Sequence, residues 1–165
     1  MPTDENLKAA FGDESKASNK YLAFANKAEE DGFPGIAKLF RAVATAEAVH
    51  ALNYMKKMEM IKGTEDNLKT AISSESYENS QMYPAFIQQA NDESRLDVAK
   101  VFNFAKTVEK IHENLFRKAL EKLSMQQDLQ GDFFVCQVCG NTVEGQAPNL
   151  CHVCGALKEQ FIKIQ

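Results

Sequence analysis

Residues 44–54 read ATAEAVHALNY. Around them Ile36, Leu39, Val43, Glu47, His50 and Tyr54 fall three or four apart, the spacing of one face of a helix. That stripe is apolar except at Glu47 and His50, which share the face at i, i+3. An ionised carboxylate placed there costs several kcal/mol unless something compensates it. The helix carrying them is expected to open at Pro34, a good first-turn residue, and to end by Gly63.

Three more helices follow from the same periodicity. One runs over about 3–31, with Leu7, Ala10, Phe11, Glu14, Ser18, Tyr21 and Phe24 on its stripe and Gly32 as its stop. Another starts between Asp66 and Ser74 and reaches about residue 90. The last begins near Asp92, carries Val98, Phe102, Ala105, Glu109, His112 and Phe116, and fades after Leu123. SMQQDLQG (124–131) reads as a linker. From Asp132 the chain turns short, Gly-punctuated and Cys-rich, which predicts strands and turns. The expected division is a helical domain over 1–130 and a small module over 131–165.

The first two helices repeat in the second two. At an offset of 62, Tyr21 matches Tyr83, Phe24 matches Phe86, Phe40 matches Phe102, Glu47 matches Glu109 and His50 matches His112. Glu14 matches Glu75 at 61, so the register slips by one before the tyrosines. Each half is therefore a helical hairpin, and two hairpins related by a pseudo-two-fold predict a four-helix bundle.

Composition narrows the function. The chain has 165 residues and a net charge of −4, with Lys and Arg outnumbered and unclustered, which argues against nucleic acid. No apolar stretch approaches membrane length, and MPTDENLK carries no basic segment followed by an apolar run. A soluble, cytoplasmic protein with no membrane partner is expected.

The chemistry lies in the repeat. Glu14 and Glu75 stand on the inward stripes of two helices, and E-x-x-H recurs at Glu47/His50 and Glu109/His112 on the others. A single E-x-x-H is usually a solvated face. Two at a repeat offset, with a glutamate on each remaining helix, form the ligand set of di-iron and di-manganese carboxylate bundles. Carboxylate oxygen with imidazole suits iron or manganese. Tyr21 and Tyr83 lie two turns beyond Glu14 and Glu75, either as core aromatics or as hydroxyl supports for ligand carboxylates. Glu78 breaks the symmetry, since its counterpart is Lys16; standing three after Glu75, it reads as an extra ligand.

All four cysteines lie in two C-x-x-C-G knuckles, Cys136/Cys139 and Cys151/Cys154. This spacing signals a tetrahedral four-thiolate site, but does not separate zinc from iron. With four thiolates completing the shell, His152 reads as a loop residue.

A carboxylate bundle followed by a four-Cys module resembles the rubrerythrin family. The resemblance rests on ESKASNKY (14–21), AEAVH (46–50), TEDNLKTAISSESYENSQMYP (64–84), EKIH (109–112) and the paired knuckles. It implies a ferritin-like four-helix bundle with a rubredoxin-like module, holding two non-haem irons and one Fe(Cys)₄ iron, with zinc a substitute in either site. It implies reduction of hydrogen peroxide to water, with electrons from a donor such as rubredoxin or an NAD(P)H-dependent reductase. Carried over by position, Glu47 and Glu109 bridge, Glu14 and Glu75 are terminal ligands, and His112 binds one iron. The other iron exchanges His50 for Glu78 on oxidation. Tyr21 and Tyr83 match the family's supporting tyrosines. The second knuckle departs from the family by reading CHVCG, where proline often follows the first cysteine. The rival readings are a ferroxidase that handles iron, and a non-enzymatic zinc-ribbon adaptor.

One assembly expectation follows from chain length. If the third helix starts at Glu65, the connection of 62–64 is too short to return along the bundle. A homodimer is then expected, unswapped if residues 62–72 are non-helical and domain-swapped otherwise.

Overall fold

The computed structural model describes residues 1–165. It divides into two compact units, Met1–Lys62 and Gly63–Gln165.

The first unit is a helical hairpin of α1 (Pro2–Glu30) and α2 (Pro34–Lys57). Each helix has proline in its first turn, where a missing N–H costs nothing. Lys27 closes α1, and Lys56 and Lys57 close α2, complementing the helix dipole. Ala25, Ala37, Ala44 and Ala51 are its buried apolar residues, so the two backbones approach closely. Leu22, Phe24, Ile36, Leu39, Val49 and Leu52 remain exposed within this unit.

In the second unit α3 (Thr64–Tyr77), a π-helical turn (Glu78–Met82) and α4 (Tyr83–Asp92) form one unbroken helical run. α5 (Leu96–Ser124) packs back against it. The third helix thus begins at Thr64, earlier than the 66–74 expected. The polar run TEDNLKT hides its start from apolar periodicity, yet Glu65 and Asp66 suit a first turn. The last long helix starts at Leu96 rather than near Asp92, because Asp92 still belongs to α4.

The turns between helices confirm the repeat. Gly32 has φ +82° and Ser94, 62 residues on, has φ +58°. The Phe33 N–H donates to the Ala28 carbonyl and the Arg95 N–H to that of Ala90, both at 2.8 Å. Tyr21, Phe24 and Phe40 form an aromatic trio with centroids 5.6–6.2 Å apart. Tyr83, Phe86 and Phe102 form the matching trio at 5.6–6.3 Å. The π turn explains the slip in register. It adds one residue between Glu75 and Tyr83, converting an offset of 61 into 62.

After α5 come β1 (Phe133–Cys136), β2 (Thr142–Glu144) and β3 (Phe161–Lys163), an antiparallel sheet of order β2-β1-β3. Its small core gathers Phe134, Val143 and Phe161 around the cysteines. No helix is long and apolar enough to cross a membrane.

Candidate metal centres

In the first unit, α1 supplies Glu14 and α2 supplies Glu47 and His50. His50 Nδ1 lies 2.9 Å from Glu47 Oε2 and 3.7 Å from Glu14 Oε1. In the second unit, α3 supplies Glu75 and α5 supplies Glu109 and His112. His112 Nδ1 lies 2.9 Å from Glu109 Oε2 and 3.7 Å from Glu75 Oε2. The two clusters have the same geometry, and in each the ligand atoms lie within 4.8 Å of one another. Two ligands bound at ~2.1 Å lie ~3–4 Å apart on one ion, so each cluster has the right spread for a divalent metal.

Electrostatics supports a cation at these positions. The hydrogen bond shared with Glu47, together with some burial, raises the Glu14 carboxyl above its ordinary value. Burial, reinforced by the adjacent Glu109, lifts Glu75 from 4.5 to about 7. Glu75 Oε2 is buried without a hydrogen-bond partner. A divalent ion in each cluster would satisfy that oxygen of Glu75 and offset the burial and the carboxylate–carboxylate contacts that raise these groups. The residues present therefore fit a carboxylate-bound metal.

Glu78 sits on the π turn, where burial and the charge of Glu75 raise its carboxyl. Tyr83 lies close enough to Glu109, Glu78 and Glu75 that, after burial, their charges hold its phenol protonated above the usual value. Tyr21 packs on Phe24 and Phe40, with the Lys20 ammonium 5.6 Å from its ring centroid.

Sequence reasoning missed the network behind Glu78. Glu113 is almost fully buried and accepts hydrogen bonds from Lys110 at 2.9 Å, Arg117 at 2.7 Å and Asn79 at 3.0 Å. Lys110 and Arg117 hold its carboxyl down at about 2. Asn79, in the π turn, also donates to the Glu75 carbonyl at 3.1 Å. The signal lay in the repeat: Asn79, Lys110 and Glu113 stand where the first half has Ala17, Ala48 and Ala51.

In the module, the sulfurs of Cys136 and Cys154 are 3.7 Å apart and those of Cys139 and Cys151 are 3.6 Å apart. A tetrahedron with ~2.3 Å metal–sulfur bonds has edges of ~3.8 Å, so the four thiols fit one ion. Gly140 and Gly155 have φ +81° and +79°, and their N–H groups each donate at 2.8 Å to the carbonyl of the cysteine four residues back. Burial pushes the Cys139 thiol up. Burial also opposes ionisation of Cys151, but N–H groups of Cys154 and Val153 outweigh it and lower that thiol to about 7. The Asn141 amide, also missed from sequence, donates to Cys151 Sγ at 3.5 Å. His152 lies in the loop between Cys151 and Cys154, outside the sulfur cluster.

The module meets α5 beside His112. Thr142 Oγ1 lies 3.0 Å from His112 Nε2. Lys118 pairs with Glu144 at 2.5 Å.

Comparison with known proteins agrees with both kinds of centre. The Rubrerythrin family model matches residues 5–120, and the model described as "Rubrerythrin, rubredoxin-like domain" matches 134–162. Rubrerythrin-2 of Clostridium acetobutylicum is 32% identical, with 96% of this chain and 95% of that protein covered. Nigerythrin of Nitratidesulfovibrio vulgaris is 36% identical over 96% of this chain and 85% of its own length. A solved structure of nigerythrin in a partially reduced state superposes with a TM-score of 0.59 at 34% identity, covering 98% of this chain and 86% of that one. The fold class is ferritin-like helical with a small rubredoxin-like module. With its motifs, its three metal-ligand clusters and these matches in agreement, the chain belongs to the rubrerythrin family.

Proposed function

We propose that this protein is a non-haem di-iron peroxidase that reduces hydrogen peroxide to water and is supplied with electrons through a four-cysteine iron centre. The observation that carries the reading is the pair of matching Glu/Glu/His clusters followed by a four-thiol cluster of tetrahedral size. Residues 1–130 form the peroxide-reducing domain and 131–165 the electron-entry module. Glu14, Glu47, His50, Glu75, Glu109 and His112 would hold two irons, with Glu78 a carboxylate that could take the place of His50. Cys136, Cys139, Cys151 and Cys154 hold the third.

Held by these residues, two ferrous ions would supply the two electrons that reduction of peroxide to water takes up. The chain's own residues set the conditions. Glu47 and Glu109 present carboxylates to imidazoles three residues on, so ligand pairs are fixed by the helix itself. The Tyr83 phenol is kept protonated by burial and by the charges of Glu109, Glu78 and Glu75. Glu78, on the π turn and within the electrostatic reach of Glu75, supports the reading of an additional carboxylate ligand in one half. The partner is an external redox donor, such as rubredoxin or an NAD(P)H-dependent reductase.

The unit of function is a homodimer. α2 continues for seven residues past His50, ~10 Å at ~1.5 Å per residue, and Glu75 lies ~16 Å into α3. A two-fold repeat that joins both clusters in one bundle makes α2 and α3 parallel, so the connection must travel back ~26 Å. The N–H groups of Met58, Glu59 and Met60 fold back onto Tyr54, Lys56 and Met55. Only the steps from Met60 to Thr64 remain, ~14 Å at most. A swapped dimer, in which the first hairpin of one copy meets the second hairpin of another, resolves the shortfall. The exposed apolar side chains of a hairpin whose own buried residues are alanines support such a partner.

The test is anaerobic reconstitution with ferrous iron, followed by metal analysis, visible absorption and peroxide turnover with a reducing donor. About three irons per chain, a thiolate-iron spectrum and turnover lost in Cys139→Ser are expected. Iron uptake far beyond that count, or steady turnover in Cys139→Ser, overturns the reading.

A further inference from the structure

We infer that Thr142 is a positioning residue for His112: through its hydroxyl, the C-terminal module fixes which ring nitrogen carries a proton and turns Nδ1 toward the carboxylates. The inference rests on reading Glu75, Glu109 and His112 as metal ligands. It adds a control of that site from outside the helices.

With a cation drawing on the Nδ1 lone pair beside the carboxylates, the far side of the ring has one consistent assignment of protons. Thr142 Oγ1 is 3.2 Å from the Gly140 carbonyl and 3.0 Å from His112 Nε2. A hydroxyl has one hydrogen, and a carbonyl can only accept. That hydrogen therefore goes to Gly140, leaving oxygen lone pairs facing the ring. Nε2 must then carry the hydrogen of the second bond, since two facing lone pairs repel. With Nε2 protonated, the neutral ring exposes a lone pair at Nδ1. Nδ1 is the atom that lies 2.9 Å from Glu109 and 3.7 Å from Glu75. This is the tautomer that a metal ligand needs, fixed by a hydrogen bond on the far nitrogen.

The support is rigid on the module side. Gly140 directly follows Cys139, and its N–H is bound to the Cys136 carbonyl at 2.8 Å. Thr142 opens β2, paired with Val135 in β1. A Cβ built at Gly140 would lie 3.8 Å from Val108, one turn before His112 on α5. The relay thus runs from a cysteine knuckle to the imidazole through one backbone carbonyl and one hydroxyl.

His50 offers the contrast. Within its own hairpin it is engaged only through Nδ1, by Glu47 and Glu14, and its side chain is 52% exposed against 26% for His112. One histidine is held at both nitrogens and the other at one.

The experiment uses the full chain with Thr142→Val and Thr142→Ser. Nitrogen-15 chemical shifts of the imidazoles are read in the metal-free protein at pH 9. Glu109 competes for the hydrogen in the metal-free protein, so the wild type and Thr142→Ser should keep a larger share of it on Nε2 than Thr142→Val does. Thr142→Val should move it toward Nδ1, donating to Glu109. With zinc in the four-cysteine site, cobalt(II) titrated into the carboxylate site should bind ~10–100-fold more weakly in Thr142→Val. Thr142→Ser should stay near wild type. The tautomer readings decide the role of Thr142: an unchanged tautomer in Thr142→Val, or a Ser variant that shifts as far as Val, overturns the inference. If the wild type binds no cobalt at the carboxylates, the metal reading fails, while the tautomer measurement still decides for or against Thr142.

Discussion

Replacing Glu75 by glutamine should make the metal-free protein more stable, and by an amount that depends on pH. Glu75 is only 20% exposed. One of its oxygens lacks a partner, and its carboxyl is lifted to about 7 by burial and by Glu109. A carboxyl whose folded value lies above its unfolded one keeps its proton longer in the folded state. Between 4.5 and about 7 the folded chain therefore binds more protons, and stability falls as pH rises through that window. Each pH unit weighs ~1.4 kcal/mol, so the folded, metal-free chain carries a penalty of ~3 kcal/mol above pH 7. Glutamine keeps the shape and cannot ionise. The stability difference between Glu75→Gln and wild type should grow by about 2–3 kcal/mol from pH 5 to pH 8 and then level off. Urea unfolding with chelator and thiol reductant, at one fixed chain concentration, measures it. A difference that stays flat across that range would refute the reasoning. The same substitution should abolish metal uptake at its cluster, since the repulsion that destabilises the empty site is what a cation relieves.

Glu113→Ala should cost about 2 kcal/mol at neutral pH, the worth of charge-assisted hydrogen bonds to a buried carboxylate. Because that carboxyl is depressed to about 2, the loss should be full above 4.5 and shrink as pH falls toward 2; an unfolding series with no such convergence in acid contradicts the network. Ser94→Gly should stabilise the chain by ~0.5–1 kcal/mol, because Ser94 holds a left-handed φ that glycine adopts freely; thermal unfolding reads it, and a drop in melting temperature counts against it. Glu14→Ala and Glu109→Ala chains, refolded together, should regain active sites if hairpins exchange between copies, since one site then receives both lesions and the other none. No recovery at all would rule the exchange out.

Much of the helical fold was legible because it is written twice. The aromatic trios, the E-x-x-H pairs and the turn at Gly32 and Ser94 recur at one offset, and the structure gives each pair matching geometry. The cysteine cluster was legible because thiolate spacing has few other meanings. Less legible were features that periodicity cannot mark. The start of α3 lies in a polar run whose apolar stripe begins only at Leu68. Thr142 and Asn141 act through tertiary contacts across the module, and no spacing rule points to a hydroxyl that meets a histidine 30 residues earlier.

The one-residue slip between Glu14/Glu75 and Tyr21/Tyr83 carried more information than its size suggests. An inserted residue in a helix must widen a turn, and the π turn at Glu78–Met82 is where it is taken up. The other departures from the repeat meet at the same place. Glu78 replaces Lys16, Asn79 replaces Ala17, and Glu113 with Lys110 replaces Ala51 with Ala48. Asn79 ties the widened turn both to the Glu75 carbonyl and to Glu113. Glu113 is in turn held by Lys110 and Arg117 on α5, next to His112. The substitutions thus form one device: a turn that carries an additional carboxylate, anchored to the helix that carries the histidine. A symmetric scaffold of two hairpins would present two equivalent ligand sets. Concentrating the breaks on one side gives the second hairpin a histidine held at both ring nitrogens and a neighbouring carboxylate that the first hairpin lacks.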